Sequence, residues 1–238
     1  GVSLMIECIP ENLPLKQALF AQLAQMAAPE TLLCSNSSSF PISAIAEGLP
    51  TARRMLGLHF FMPAHLVPLV EVVLGPQSDL AQAEQLCSFM RGCGSVPVLV
   101  RKDKPGFLAN RMQHALAREA FALIDEGVAS PEDVDAAVRF GFGFRFLAAG
   151  PVMQRDHAGL EVHTAAAASM YPSLAVNTEP ARVLQERVAR GELGMKTGQG
   201  FYSWTPETQK AERARYDRLL RQGLDLLASE LPTLNPED

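Results

Sequence analysis

The chain has 238 residues, 47% of them hydrophobic, and a formal net charge of −5. That is a globular composition, and the length suits one large domain or two modest ones. The acidic balance argues against a general nucleic-acid binder, and no apolar run reaches the ~18 residues needed to cross a membrane.

In chain order, "GVSLMIECIP" comes first, an apolar run without a start methionine, signal peptide or cap. It reads as a strand over residues 2–9 taken from the middle of a domain, so an upstream segment is expected. A helix follows, with Leu15, Leu19, Leu23 and Met26 at helical spacing and Pro29 as its stop. "TLLCSNSSS" reads as a strand running into a polar turn, and "PISAIAEGL" as a short helix. "RRMLGLHFF" and "LVPLVEVVLG" are two more strands. A helix with Leu80, Ala83, Leu86 and Met90 on one face precedes a last strand, "SVPVLVRK". Alternation of strands and helices implies a mostly parallel sheet in an α/β domain.

Beyond Lys104 the pattern is helical. "PGFLANRMQHALAREAFALIDEG" predicts a long helix closed by Gly127. Ser130, Pro131 and Asp133 form a capping pattern for the next. Further helices are expected over 159–170, 180–190 and 207–230. The organisation is thus an α/β part, residues 1–103, and an all-α part, residues 104–238.

Two residues stand out chemically. His59 ends a predicted strand, where α/β sheets place ligands. Glu71 lies between valines on the next strand, and an unpartnered buried carboxylate costs several kcal/mol. If the strands are neighbours, the carboxylate can accept one imidazole N–H and leave the other nitrogen as a general base. The alternative is a structural pair, or two residues that never meet. The serines of "SNSSS" offer hydroxyls at a sheet edge or merely cap the next helix. Asn110 is a poor helix former early in a long helix; it serves a site or faces solvent. "GMKTGQGFY" resembles a tight turn more than a phosphate cradle. His65, His114, His157 and His163 lack metal-ligand spacing, so no metal is expected. The four cysteines, Cys8, Cys34, Cys87 and Cys93, form no C-x-x-C pair and suit a reducing cytoplasm.

Taken together, the motifs resemble those of the 3-hydroxyacyl-CoA dehydrogenase family, nearly end to end. "IECIPENLPLKQALFAQL" is similar to its V-I-E-A-x-x-E-N-x-x-x-K segment, and "CSNSSSFPISAIA" to its S-N-T-S-S motif. "HFFMP" resembles H-F-F-N-P, "LVEVV" matches directly, and "KPGFLANR" matches P-G-F-x-x-N-R. "EGVASPEDVDAA" and "KTGQGFY" match later segments. The resemblance implies a Rossmann-type NAD domain, N-terminally incomplete here, followed by an all-α domain that forms a homodimer. It implies NAD-dependent interconversion of 3-hydroxy and 3-oxo compounds. His59 would be the base and Glu71 its orienting partner. Ser38 would bond substrate and cofactor, Asn110 the substrate carbonyl, and Glu11 and Lys16 the cofactor.

The resemblance also departs in two places. The family's glycine-rich dinucleotide loop would precede residue 1, so this polypeptide by itself is expected to bind NAD weakly. Met62 stands where the family usually has asparagine. "PAHLVPLVEVV" and "GFGFRFLAAGP" look closer to relatives acting on free hydroxy acids, such as carnitine and gulonate dehydrogenases. Arg145 is then a candidate for pairing a free carboxylate, or a surface arginine. Three readings stay open: an acyl-CoA dehydrogenase, a free-acid dehydrogenase, or a catalytically silent dimerisation fragment.

Overall fold

The computed structural model describes residues 1–234. It falls into two compact units: Gly1–Gln113 together with the chain from Leu224, and His114–Gly223.

The first unit is built on five strands: β1 (Leu4–Glu7), β2 (Leu32–Ser35), β3 (Met55–Phe60), β4 (Leu69–Leu74) and β5 (Val96–Val100). They lie side by side in chain order. Helix α1 (Leu13–Met26) joins β1 to β2, the short α2 (Ile42–Ile45) follows β2, and α3 (Leu80–Gly92) joins β4 to β5. The β1/β2, β2/β3 and β4/β5 pairs are parallel, and β3/β4 is antiparallel. Chain length explains the exception: only residues 61–68 join β3 to β4, and a parallel crossover needs about a dozen or more.

Caps fix the helix ends. Asn12 accepts the Leu15 N–H at 3.0 Å to open α1, and Asp79 accepts those of Ala81 and Gln82 at 2.9 and 3.3 Å to open α3.

The two-residue period of the strands sorts the core onto two faces. Cys34, Leu56, Leu58, Val70 and Val72 point to one face and pack on Ala83, Leu86 and Met90 of α3. Leu33 and Met55 point to the other and pack on Phe20 of α1 and on Ile42 and Ile45 of α2. Each such aliphatic side chain contributes about 1.5–3 kcal/mol by leaving water. His59 and Glu71 share the parity of Met55 and Val73, so both sit on the face opposite α3. A one-residue slip of register would turn them away.

Helix α4 (Ala109–Asp125) leads into the second unit, which continues with α5 (Pro131–Ala137), α6 (Pro151–Ala158), α7 (Leu160–Met170), α8 (Arg182–Ala189) and α9 (Pro206–Leu226). Ser130 caps α5 by accepting the Asp133 N–H at 3.1 Å. Side-chain bonds tie these elements. Asp125 accepts the Arg182 and Val183 N–H groups at the start of α8. Tyr202 donates to Asp135 at 2.7 Å. Phe201 stacks on Phe121 and carries the Arg187 guanidinium 4.1 Å above its ring.

Two expectations need correction. Helix α4 starts at Ala109, later than its apolar pattern suggests, because Gly106 and Phe107 take left-handed φ values of +73° and +52°. Helix α6 was not anticipated, although Pro151 at its first position is a start signal. Among the described residues no helix is long and apolar enough to cross a membrane.

Candidate active site

The antiparallel register sets His59 directly opposite Glu71, on the same face. Both are buried, His59 at 3% and Glu71 at 0% exposure, so their charges must be answered locally. The Glu71 Oε2 atom lies 2.8 Å from His59 Nδ1. Its Oε1 accepts the backbone N–H groups of Leu108 and Ala109 at 3.0 and 2.9 Å. These are donors at the start of α4, which a helix leaves without internal partners. The left-handed Gly106–Phe107 turn aims them at the carboxylate. Burial pushes the Glu71 carboxyl up, but the His59 bond and the two N–H groups outweigh it and hold the carboxyl below its ordinary value.

With Nδ1–H donated to Glu71, His59 presents Nε2 outward, 3.2 Å from Ser38 Oγ. Phe61 and Phe107 flank the imidazole, their ring centroids 4.6 and 5.6 Å away. Asn110, in the first turn of α4, donates Nδ2–H to the Ser38 carbonyl at 3.0 Å. An amide carries a second N–H, so Asn110 retains a donor for another acceptor. Ser38 is exposed, as an atom that meets a ligand must be.

A second polar group lies at the C-terminal ends of β1 and β2. Lys16, buried at 1% exposure, donates to Glu7 at 2.9 and 3.0 Å and to the Ile9 carbonyl at 3.2 Å. Its ammonium also lies 3.5 Å from Glu11. All of its protons thus have acceptors inside the chain. Glu11 Oε1 accepts from Ser37 Oγ at 2.6 Å, from the Ser39 N–H at 3.0 Å and from Ser39 Oγ at 2.7 Å. Desolvation raises the Glu11 carboxyl, but the serine bonds and the Lys16 charge bring it below its ordinary value.

So Ser38, His59, Glu71 and Asn110 meet in one cluster, and Glu11 and Lys16 meet in the network behind Ser38. Arg145 lies in the other unit, exposed, in the short turn Phe144–Leu147. The sequence marked Ser35, Ser37 and Ser39 only as members of the serine run and did not single out Glu7. For Glu7 a signal existed: a carboxylate between Ile6 and Cys8 in a strand poses the same question as Glu71 between valines. Among the described residues no group of three His, Cys, Asp or Glu side chains could hold a metal ion.

The edge where parallel β1 and β2 end is where α/β sheets take ligands, and it presents the exposed Glu11 and Ser38 side chains. A carboxylate acceptor beside hydroxyls fits the hydroxyl and amide groups of a nicotinamide nucleoside.

Comparison with known proteins gives two family matches. Residues 1–104 match the model for "3-hydroxyacyl-CoA dehydrogenase, NAD binding domain", and residues 106–204 that for "3-hydroxyacyl-CoA dehydrogenase, C-terminal domain". The 5-formyl-3-hydroxy-2-methylpyridine 4-carboxylate 5-dehydrogenase of Mesorhizobium japonicum is 33% identical over 90% of this chain and 71% of its own. The 3-hydroxyadipyl-CoA dehydrogenase of Escherichia coli is 41% identical over 88% of this chain. The human mitochondrial hydroxyacyl-coenzyme A dehydrogenase is 37% identical over 86%. The chain spans only 44% of the E. coli relative's length and 64% of the human one's. A crystal structure of the same pyridine-carboxylate 5-dehydrogenase activity, described as an NAD+-dependent dismutase, superposes with a TM-score of 0.91 over 95% of this chain and 74% of its own, at 32% identity. The E. coli 3-hydroxybutyryl-CoA dehydrogenase gives 0.68 over 86% of this chain and 43% of its own, at 40% identity.

Proposed function

The chain belongs to the 3-hydroxyacyl-CoA dehydrogenase family, an NAD-using group of oxidoreductases, and from that premise we propose that it interconverts a 3-hydroxyacyl-CoA and a 3-oxoacyl-CoA. The observation that carries this reading is the His59–Glu71 pair aimed at Ser38. Oxidation of a carbinol needs a base for the hydroxyl proton as the hydride leaves. NAD, when bound, supplies the hydride acceptor. His59 Nε2 takes the proton, and Glu71 stabilises the resulting imidazolium across 2.8 Å. Ser38 and Asn110 orient the substrate oxygen toward that nitrogen, and Phe61 and Phe107 shield the ring from water. Glu11 serves the cofactor, and Lys16 serves it at one remove by holding Glu11. Residues 1–103 act in cofactor binding and 104–238 in substrate binding and homodimer formation. The dimer reading rests on the apolar side chains that the helices of the second unit leave exposed.

A second reading has its own support. The superposition with a TM-score of 0.91 is to an enzyme named for a pyridine carboxylate rather than a thioester. In that reading the substrate is a small free acid, and the exposed Arg145 pairs with its carboxylate. Oxidation of NADH by the full-length protein with acetoacetyl-CoA, set against free 3-oxo acids and aromatic aldehydes, separates the two. Turnover of the CoA ester at least tenfold faster supports the first reading, and the reverse order overturns it.

A further inference from the structure

We propose that the buried Glu7–Lys16 pair, acting through Ser35 and Glu11, is a positioning device that holds Ser38 against His59. This rests on the reading of His59 as the base.

The argument starts from what the pair does beyond stability. A buried ion pair is weak evidence for stability, because apolar side chains of the same volume often serve as well. This pair has further partners, and they converge on one segment. Glu7 and Ser35 are register partners at the ends of β1 and β2. Glu7 Oε1 accepts a short bond from Ser35 Oγ, and the Glu7 carbonyl accepts the Asn36 N–H at 3.0 Å. Ser35 Oγ in turn accepts the Ser37 N–H at 3.1 Å. From the other side, Glu11 takes the Ser37 hydroxyl and both donors of Ser39. One ammonium, that of Lys16, stands within 3.5 Å of both carboxylates.

The two neighbours of Ser38 are therefore pinned, Ser37 by both arms and Ser39 by one. Ser38 itself makes no bond to this network. Its Oγ faces His59 and its carbonyl takes Asn110. The segment is anchored on each side of the one hydroxyl that reaches the imidazole. A misplacement of about 1 Å at such a group can cost roughly 10²-fold in rate. Glu7, Lys16 and Ser35 are positioning residues, with 5%, 1% and 1% exposure, too buried to touch a substrate.

Ser35→Ala in the full-length protein is the test, since it removes the link and keeps the ion pair. We expect kcat to fall about tenfold with KM within about twofold, on the geometric sensitivity above. The His59 Nε2 resonance in a 15N spectrum should move at the same time. Glu7→Gln, nearly the same shape, should give the same split more strongly. If it does not fold, Ser35→Ala decides alone. A loss confined to melting temperature, with kcat and the His59 resonance unchanged, overturns the proposal. His59→Gln runs alongside. If it stays active, the reading of the site falls. If it is inactive while Ser35→Ala works at the wild-type rate, only the positioning role falls.

Discussion

In the sheet unit, Leu33, Leu56, Leu58, Val70 and Val72 have no exposed surface, whereas none of α4 to α9 contains a buried residue. Between residues 114 and 223 only Ala149 and Gly200 are buried. Phe140, Val152 and Val176 are 73%, 78% and 81% exposed there. In the sheet unit α3 packs on one face of the central strands and α1 and α2 on the other, while Ile6 of β1 is still 43% exposed. The helical unit is tied by polar side chains such as Asp125 and Tyr202 and leaves apolar surface on offer. Exposed apolar faces on helices are where interaction surfaces are sought. The difference teaches where each half gets its order. The candidate base and its partners stand on the unit that holds the buried core, and the helical unit leaves its apolar side chains exposed.

The largest expected effect tests the sheet unit. Glu71 accepts three hydrogen bonds, one from His59 and two from the start of α4. Glu71→Gln replaces one acceptor oxygen with an NH2 group, so either His59 or the two helix donors lose a partner. We expect kcat to drop about 10²-fold while KM changes far less, as for loss of a group that acts in proton transfer. Steady-state kinetics measure this; a KM-only effect would remove Glu71 from the proton-transfer step. The pH dependence has a definite sign. The folded carboxyl lies below the ordinary glutamate value of 4.5, so its stabilisation is present above that value. It is lost as pH falls through the lower folded value. Melting temperature against pH should therefore fall less steeply below about 4.5 in Glu71→Gln than in the parent.

Much of the sheet half was legible in the sequence because strands announce themselves locally. Glu71 could be singled out because a charge between valines is anomalous wherever the strand lies. Its pairing with His59 required knowing that the strands are neighbours, and the brevity of residues 61–68 was the available signal. The start of α4 was misplaced because Phe107 adopts a positive φ that no propensity scale foresees for a bulky residue. The Glu7–Lys16 pair stayed hidden for another reason. It joins a strand end to the first turns of the next helix, and a nine-residue separation carries no periodic signature. In the helical half, the capping of α5 by Ser130 could be read, whereas α6 went unread although Pro151 opens it.

The second effect tests the helical unit. If a second copy covers the exposed helical surface, a charge placed there should prevent assembly. We expect the parent protein to scatter light as a ~52 kDa species, twice the 25.8 kDa chain. Phe140→Asp or Val152→Asp should lower the mass to that of one chain and leave the far-ultraviolet circular dichroism unchanged. A parent protein that is monomeric at micromolar concentration would refute the proposed dimer.

The smallest effect reads the comparison from inside the sheet. All four cysteines lie in the sheet unit: Cys34 buried, Cys87 intermediate, Cys8 and Cys93 exposed. Cys34 packs on the α3 face, and burial pushes its thiol up to about 12. The thiolate is the reactive form, and burial keeps Cys34 in the thiol form at pH 8. Iodoacetamide should therefore modify Cys8 and Cys93 within minutes and Cys87 more slowly, since partial burial raises its thiol too. Cys34 should react only when the sheet opens, which samples the upper end of local stabilities. Peptide mass spectrometry over a time course measures all four thiols in one sample. Modification of Cys34 at the rate of Cys8 would mean that the sheet unit opens freely, and the contrast drawn between the two halves would not hold.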